Sequence, residues 1–341
     1  MKMQSWRGAW RSRLFGKANR RVALLVCAVM AVAQGGAQET PQQPTSPQTL
    51  KVYISVVNVY AVVRDKKGRL IPNLNKEDFE VEEDRQAQAI RYFSRETDTP
   101  LTLGILVDTS PSQQRVLSIE KEEAKAFFRQ VLRPKDLAFV LHFDAEVELL
   151  QDFTSDIHSL ARAVDETQIN GGARGVLPSP LPTAQDACCT DLYDAVYLAA
   201  NELLKNEIGR KVVILLTDGE DEGSKVKLET ALTAAQQSDI IIYSIDISDR
   251  MFYASQGIGF SGESVLKKLS EETGGRVIKV GKPGETALAF QQIADELRTQ
   301  YLLGYTPSNN ARDGTFRKIR VQARNGDYKV QARRGYYAPA E

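Results

Sequence analysis

The chain has 341 residues, enough for one large domain and one small one, and carries 44 basic and 44 acidic side chains. That balance hides a division: residues 1–37 hold seven basic residues and no acid, which leaves 37 basic against 44 acidic residues beyond them, a net charge of −7. An acidic body excludes nucleic acid as a partner and excludes simple adsorption to anionic lipid.

The basic start runs into an apolar stretch over residues 22–33 and then into Gly35-Gly36-Ala37. This is the pattern of a secretory signal peptide over residues 1–37, cleaved after Ala37. The apolar stretch is shorter than the roughly 20 residues of a membrane span, so no stable span is expected after cleavage; an uncleaved amino-terminal anchor is the alternative. Cys27 would leave with the signal, and the neighbours Cys188 and Cys189 would remain. In an oxidising compartment these two either close a vicinal disulfide or stay as two small thiols. Residues 38–50, rich in Pro, Gln, Thr and Ser, read as a flexible spacer.

Residues 51–98 and 299–341 alternate apolar and polar positions as half-buried strands do. Val57, Val59, Ala61 and Val63 mark one strand, Phe79 and Val81 another before Asp84-Arg85. Residues 316–321 and 328–330 flank a turn at Asn325-Gly326. Either end alone supplies too few strands for an independent unit. The two are therefore expected to pair into one small β-sandwich-like subdomain, with residues 99–298 inserted between them.

Within 99–298 the apolar runs 101–107, 137–143, 212–216 and 240–247 are nearly continuous, as in parallel strands buried on both faces. Helical patterns separate them. Val116, Ile119, Phe127, Phe128 and Val131 mark one, ending before Pro134; Leu192, Ala195, Val196, Ala199 and Leu203 mark another; Val265, Leu266 and Leu269 mark a third. The alternation predicts an α/β fold with a doubly wound, mostly parallel sheet, whose ligands bind at the carboxyl ends of the strands.

Three segments at such ends carry oxygen donors. Asp108-Thr109-Ser110-Pro111-Ser112 follows the first run, Thr217-Asp218-Gly219 the third, and Thr190-Asp191 opens the second helical pattern. Carboxylate and hydroxyl oxygens from separated loops suit a hard divalent cation. Two carboxylates and three hydroxyls would leave that cation open to an acidic group from another molecule. Each residue also has a plainer use: Ser112 and Thr190 suit helix N-caps, and Asp218-Gly219 suits a turn. Asp221 and Glu222 read as a solvated acidic turn.

The segment Leu103-Gly104-Ile105-Leu106-Val107-Asp108-Thr109-Ser110-Pro111-Ser112 resembles the first element of a von Willebrand factor A domain. That element ends in the Asp-x-Ser-x-Ser signature of the metal-ion-dependent adhesion site (MIDAS). Thr190 within Thr-Asp-Leu-Tyr-Asp-Ala resembles the second element and residues 213–219 the third. The resemblance covers roughly residues 99–298 and implies that these form a von Willebrand A domain. It implies metal ligation by Asp108, Ser110, Ser112, Thr190 and Asp218, the serines directly, Thr190 directly when a ligand carboxylate arrives, and the aspartates mostly through water. The implied cofactor is Mg²⁺, or Mn²⁺ in its place. The flanks, with Asn75-Lys76-Glu77-Asp78-Phe79, Tyr301-Leu302-Leu303-Gly304-Tyr305 and Gly335-Tyr336-Tyr337, resemble the bacterial VWFA-related family of Gram-negative genomes. Two departures stand out: Pro111 and Gln113 replace the usual small residue and methionine around the second serine, and Cys188-Cys189 replaces glycines.

Enzyme readings are weaker. Gly257-Ile258-Gly259-Phe260-Ser261-Gly262 matches a dinucleotide fingerprint in form but lies ten residues past the preceding strand, too far for the tight turn that motif needs. His142 falls inside an apolar strand, as a core or sheet-edge residue, and His158 lies on a polar helix pattern. The expected function is therefore non-enzymatic: an exported, periplasmic or cell-surface, adhesion-type module that binds an Asp or Glu carboxylate of a protein partner through its cation. Loops 170–187 and 250–262 would set specificity. The alternatives are a cell-envelope scaffold whose metal only rigidifies the domain and, behind it, an Mg²⁺-dependent hydrolase.

Overall fold

The computed structural model describes residues 56–95, 99–169, 190–248, 262–282 and 284–340. The centre is a six-stranded sheet. In chain order its strands are β5 (Leu101–Asp108), β6 (Leu137–Phe143), β7 (Val147–Thr154), β8 (Arg210–Thr217), β9 (Ile240–Asp246) and β10 (Val277–Lys279), and in space they run β10-β9-β8-β5-β6-β7. All neighbours are parallel except β7, which returns antiparallel along β6 at the edge. Every residue of β5, β8 and β9 is buried, which is why these strands read as nearly continuous apolar runs.

Successive side chains point to opposite faces, and each face has its own helices. Leu103, Ile105 and Val107 of β5 join α1 (Leu117–Val131), α2 (Ile157–Glu166) and α6 (Glu285–Arg298) in one core. Leu106 joins α3 (Leu192–Leu198), α4 (Leu228–Gln237) and α5 (Gly262–Thr273) in the other. The fold is thus the doubly wound α/β architecture that the alternation predicts. No helix among the described residues is long and apolar enough to cross a membrane.

Two helix phases differ from the sequence expectation. On α1 the buried stripe is Leu117, Glu120, Ala124, Phe127, Phe128 and Val131, while Ile119 is 41% exposed. A carboxylate therefore occupies the face assigned to isoleucine. At the end of α3 the chain makes a π turn over Ala199–Leu203. The extra residue per turn brings Leu204 fully into the core, while Leu203 is half-buried against it.

The flanking segments form two four-stranded antiparallel sheets around a third core. One has the order β13-β1-β11-β4, from β1 (Val57–Arg64), β4 (Ile90–Arg95), β11 (Tyr301–Tyr305) and β13 (Lys329–Ala332). The other has the order β14-β12-β2-β3, from β2 (Phe79–Glu83), β3 (Gln86–Gln88), β12 (Phe316–Ala323) and β14 (Gly335–Tyr337). Amino- and carboxyl-terminal strands interleave in both, and Val59, Val63, Phe79, Val81, Leu303, Tyr305 and Ile319 pack between them. Asp84 and Arg85 turn β2 into β3 with φ of +48° and +69°, the left-handed pair that a tight hairpin demands. Glu83, buried beneath that hairpin, accepts hydrogen bonds from Tyr305 Oη at 2.8 Å and Tyr336 Oη at 3.0 Å. An ion cluster joins this β layer to the central domain: Glu296 of α6 pairs with Arg64 of β1 and with Arg276, whose Nη2 lies 2.6 Å away.

Candidate functional site at the carboxyl edge of the sheet

The chain leaves β5 toward β6 on one side and continues from β8 toward β9 on the other. The adjoining ends of β5 and β8 therefore form the crevice in which open α/β sheets bind ligands. Asp108 closes β5 there, fully buried. The Ser110 amide donates to Asp108 Oδ1 at 2.9 Å, which bends the chain back over the strand end. Pro111 then opens a 3₁₀ turn, Pro111–Gln113, at a position where a missing N–H costs nothing.

Asp218 follows β8. Thr217 Oγ1 donates to Asp108 Oδ2 at 2.5 Å and accepts from the Gly219 amide at 3.0 Å, tying the two strand ends together. Burial, and then the charge of Asp218, push the Asp108 carboxyl up to about 7. Ser112 Oγ donates to Asp218 Oδ2 at 2.7 Å and lies 3.1 Å from Ser110 Oγ. Asp108, Ser110, Ser112 and Asp218 are thus brought together in one hydrogen-bonded chain.

The plainer uses of the hydroxyls are not the ones taken. Ser110, not Ser112, occupies the cap of the 3₁₀ turn, and its side chain makes no capping hydrogen bond. Helix α3 is capped at Asp191, again without a side-chain bond. Thr190 is buried beside these strand ends and is held by its backbone, whose oxygen accepts from the Glu222 amide at 3.1 Å. Its neighbour Asp191 donates its amide to Asp144 O at 2.7 Å. Among the described residues no hydrogen bond uses the Thr190 hydroxyl. The acidic turn beyond Asp218 is less solvated than expected: Asp221 Oδ1 accepts from the Tyr193 amide at 3.0 Å and from Ser224 Oγ at 2.6 Å, and so serves the start of α3. Burial, then Asp194 and Asp221, push Asp191 up to about 6.

Gly219 permits the close approach of α5. Its φ is +86°, and a Cβ there would come within 2.6 Å of Gly262 O and of Leu266 Cγ. Gly262, the only part of the dinucleotide-like run within the described residues, opens α5 against this turn and donates its amide to Glu220 Oε1 at 2.7 Å. It is buried. Gly219→Ala is expected to cost at least about 2 kcal/mol, from left-handed strain and overlap together. Urea unfolding of the variant checks this; a loss below about 0.5 kcal/mol, the range of an ordinary surface substitution, would show that the contact is dispensable.

Three further residues shape the site. Gln113, which the sequence shows only as a departure from methionine, is fully buried; its Nε2 donates to Asp218 Oδ2 at 2.8 Å and to Ser112 Oγ at 3.0 Å. Thr217 orients Asp108, and its only signal in the sequence is a hydroxyl closing an apolar run. Thr109 Oγ1 donates to Asp144 Oδ2 at 2.8 Å and lies 3.1 Å from His142 Nδ1. His142 is indeed a buried strand residue, and its ring meets Thr109 and Glu148. Cys188, Cys189 and the loops 170–187 and 250–261 lie outside the described residues.

The donor set fits a small hard cation. Two adjacent ligands of an octahedral Mg²⁺, each about 2.1 Å from it, stand about 3 Å apart, which matches the separation of the two serine hydroxyls. A serine hydroxyl that donates to a carboxylate still has lone pairs to offer, and the carboxylates are fixed by their own hydrogen bonds. Among the described residues no three His, Cys, Asp or Glu side chains converge as a metal cluster; this site has two carboxylates, and its remaining donors are hydroxyls.

No curated protein sequence matches the chain. Among solved structures it is similar to BatB from Bacteroides thetaiotaomicron, with 17% identity and a TM-score of 0.42 over 58% of this chain and 97% of that one. A von Willebrand factor type A protein from Catenulispora acidiphila is 13% identical with a TM-score of 0.42, over 77% of this chain and 73% of that one. The proximal thread matrix protein 1 of the mussel byssus, described with a zinc-occupied MIDAS motif, is 16% identical with a TM-score of 0.45, over 63% of this chain and 50% of that one. Residues 103–220 match the family model of the von Willebrand factor type A domain, a class of protein-interaction modules. That match runs from β5 to the loop after β8, the stretch that carries both strand ends of the site.

Proposed function

We propose that the chain is an exported, non-enzymatic binding protein. In this reading Asp108, Ser110, Ser112, Thr190 and Asp218 hold one Mg²⁺ or Mn²⁺ and thereby recognise an Asp or Glu carboxylate of a protein partner. The observation that supports it is the pair of uncapped serine hydroxyls, 3.1 Å apart and chained to two buried carboxylates at the crevice between β5 and β8. A metal there supplies an electrophilic centre for a carboxylate oxygen. The chain's own residues do the rest: Thr217 and the Ser110 amide orient Asp108, Gln113 and Ser112 orient Asp218, and burial keeps competing water away.

The test is calorimetric titration of EDTA-treated protein with Mg²⁺ and Mn²⁺, beside the double variant Ser110→Ala/Ser112→Ala. One saturable site, lost in the variant, is the expected result. No binding at millimolar metal would overturn the reading. Capture on an array of acidic peptides, dependent on Mg²⁺ and abolished by EDTA, tests the partner chemistry; metal-induced stabilisation without any such capture would favour a scaffold whose ion only stiffens its loops.

A further inference from the structure

At the opposite edge of the central sheet, where β8 and β9 begin, lies a cavity of about 290 Å³, at the low end of the range for small-molecule sites. It opens between the central domain and the β layer, walled by the ends of α4 and α5, by β1 and by the link from β13 to β14. Two polar side chains line it without a partner among the described residues. Lys211, the second residue of β8, is 9% exposed, and Gln236, the penultimate residue of α4, is 8% exposed. Neither the Lys211 ammonium nor the Gln236 side-chain amide makes a hydrogen bond or ion pair there, and neither is sealed into the core.

Lys211 shares its face of β8 with Val213 and Leu215, which pack beneath α3, α4 and α5. An aliphatic residue would continue that row, so the lysine answers to something other than packing. Burial pulls its ammonium below the ordinary pKa, while Asp239 and Glu207 act the other way. Neither acid is paired with it: Asp239 is taken by Arg333, and no ion pair joins Glu207 to Lys211 among the described residues. Glu272, the third acid of the wall, pairs with Arg334 Nη1 at 3.1 Å. The remaining wall is apolar. Ile240 and Ile241 are buried in it, and Ile208 stands beside them 90% exposed.

One unpaired cation, one amide and an isoleucine wall suit a ligand with a single negative charge and a hydrocarbon body. A phosphate would set a second charge against three acids, and an amine would add a like charge beside Lys211. We propose that this cavity binds a small amphipathic carboxylate. Its carboxylate accepts from Lys211 Nζ and Gln236 Nε2, and its hydrocarbon covers Ile208, Ile240 and Ile241. The site lies at the far end of β8 from Asp218 and does not rest on the metal-binding reading.

The experiment titrates the full chain with hexanoate, hexylamine, hexan-1-ol and inorganic phosphate, by calorimetry and saturation-transfer NMR. EDTA is present throughout, so that no carboxylate is taken by an ion at the other edge of the sheet. Hexanoate alone of the four is expected to bind saturably. Lys211→Met should weaken it about 10- to 100-fold, the worth of one hydrogen bond to a charged group. Ile208→Ser, at an exposed position, should also weaken it through lost apolar cover. Equal hexanoate affinity in Lys211→Met, binding of another probe as tight as hexanoate, or no binding at millimolar hexanoate would overturn the proposal. Lys211 would then be a lysine whose head only reaches for water. If Lys211→Met does not fold, Ile208→Ser decides: unchanged hexanoate affinity there overturns the proposal. None of these results bears on metal binding.

Discussion

Truncating Glu296 to Ala is expected to lower the unfolding free energy by about 3–5 kcal/mol, the range observed when one partner of a buried ion pair is removed. Glu296 is 1% exposed and faces two guanidinium groups, Arg64 at the end of β1 and Arg276 ahead of β10, whose side chains are 16% and 27% exposed. Removing the acid leaves both cations together without their counter-charge. Arg64 also donates to Gln331 of β13 at 2.9 Å, so the cluster reaches two strands of the β layer. Arg276→Ala should cost less, because Arg64 remains to neutralise Glu296 and Arg276 is the more exposed partner. Urea unfolding followed by circular dichroism measures each loss. Equal and small effects, below about 1 kcal/mol, would mean that the cluster behaves as a surface network. Because the cluster bridges two cores, Glu296→Ala is also the variant most expected to separate their unfolding in a calorimetric scan.

The parts of this molecule that sequence reveals are those in which one physical demand dominates. Strands β5, β8 and β9 are buried on both faces, so their apolar runs are nearly continuous and their ends, with Asp108 and Asp218, can be placed at a ligand-binding edge. Strand β2 alternates because only one face is covered, whereas β1 alternates only at its start, since Val62 on its second face is buried as well. Where two demands compete, the pattern misleads. Isoleucine outranks glutamate on any hydrophobic scale, yet Glu120 takes the buried side of α1 and Ile119 the exposed one, since the helix phase is fixed by Phe127, Phe128 and Val131 further along. The π turn at Ala199–Leu203 is invisible for a related reason: Leu203 and Leu204 are interchangeable in composition, and only the packed backbone chooses between them. Gln113 and Thr217 are ordinary residues until the fold brings Asp218 and Asp108 beside them. Their roles come from neighbours about one hundred residues away in the chain, a coupling that no local pattern encodes.

Asp108→Asn should abolish divalent-metal binding, a loss of at least 100-fold in affinity, without destabilising the metal-free protein. The amide is nearly the same shape and keeps an acceptor for the Ser110 amide, while Thr217 Oγ1 can turn its proton away and accept instead. What disappears is one of two negative charges buried side by side. With Mg²⁺ at about one hundred times its dissociation constant, the wild type should gain about 2.7 kcal/mol; the variant should gain nothing. The pH dependence carries the same signature. Burial and Asp218 raise the folded-state Asp108 to about 7, above the roughly 3.9 of an unfolded aspartate. Between those values the folded state binds more protons than the unfolded one. The metal-free wild type therefore loses stability as pH rises through that window and levels off above it. Binding the ion expels the same proton, so Mg²⁺ affinity should weaken by up to about tenfold for each pH unit below about 7. In Asp108→Asn the metal-free slope should become shallower, with Glu120 supplying part of what remains. Thermal melts in EDTA and in Mg²⁺ across that range compare the two proteins directly. An unchanged slope in the variant would mean that Asp108 is ionised throughout and that its partners hold it as a carboxylate even without metal.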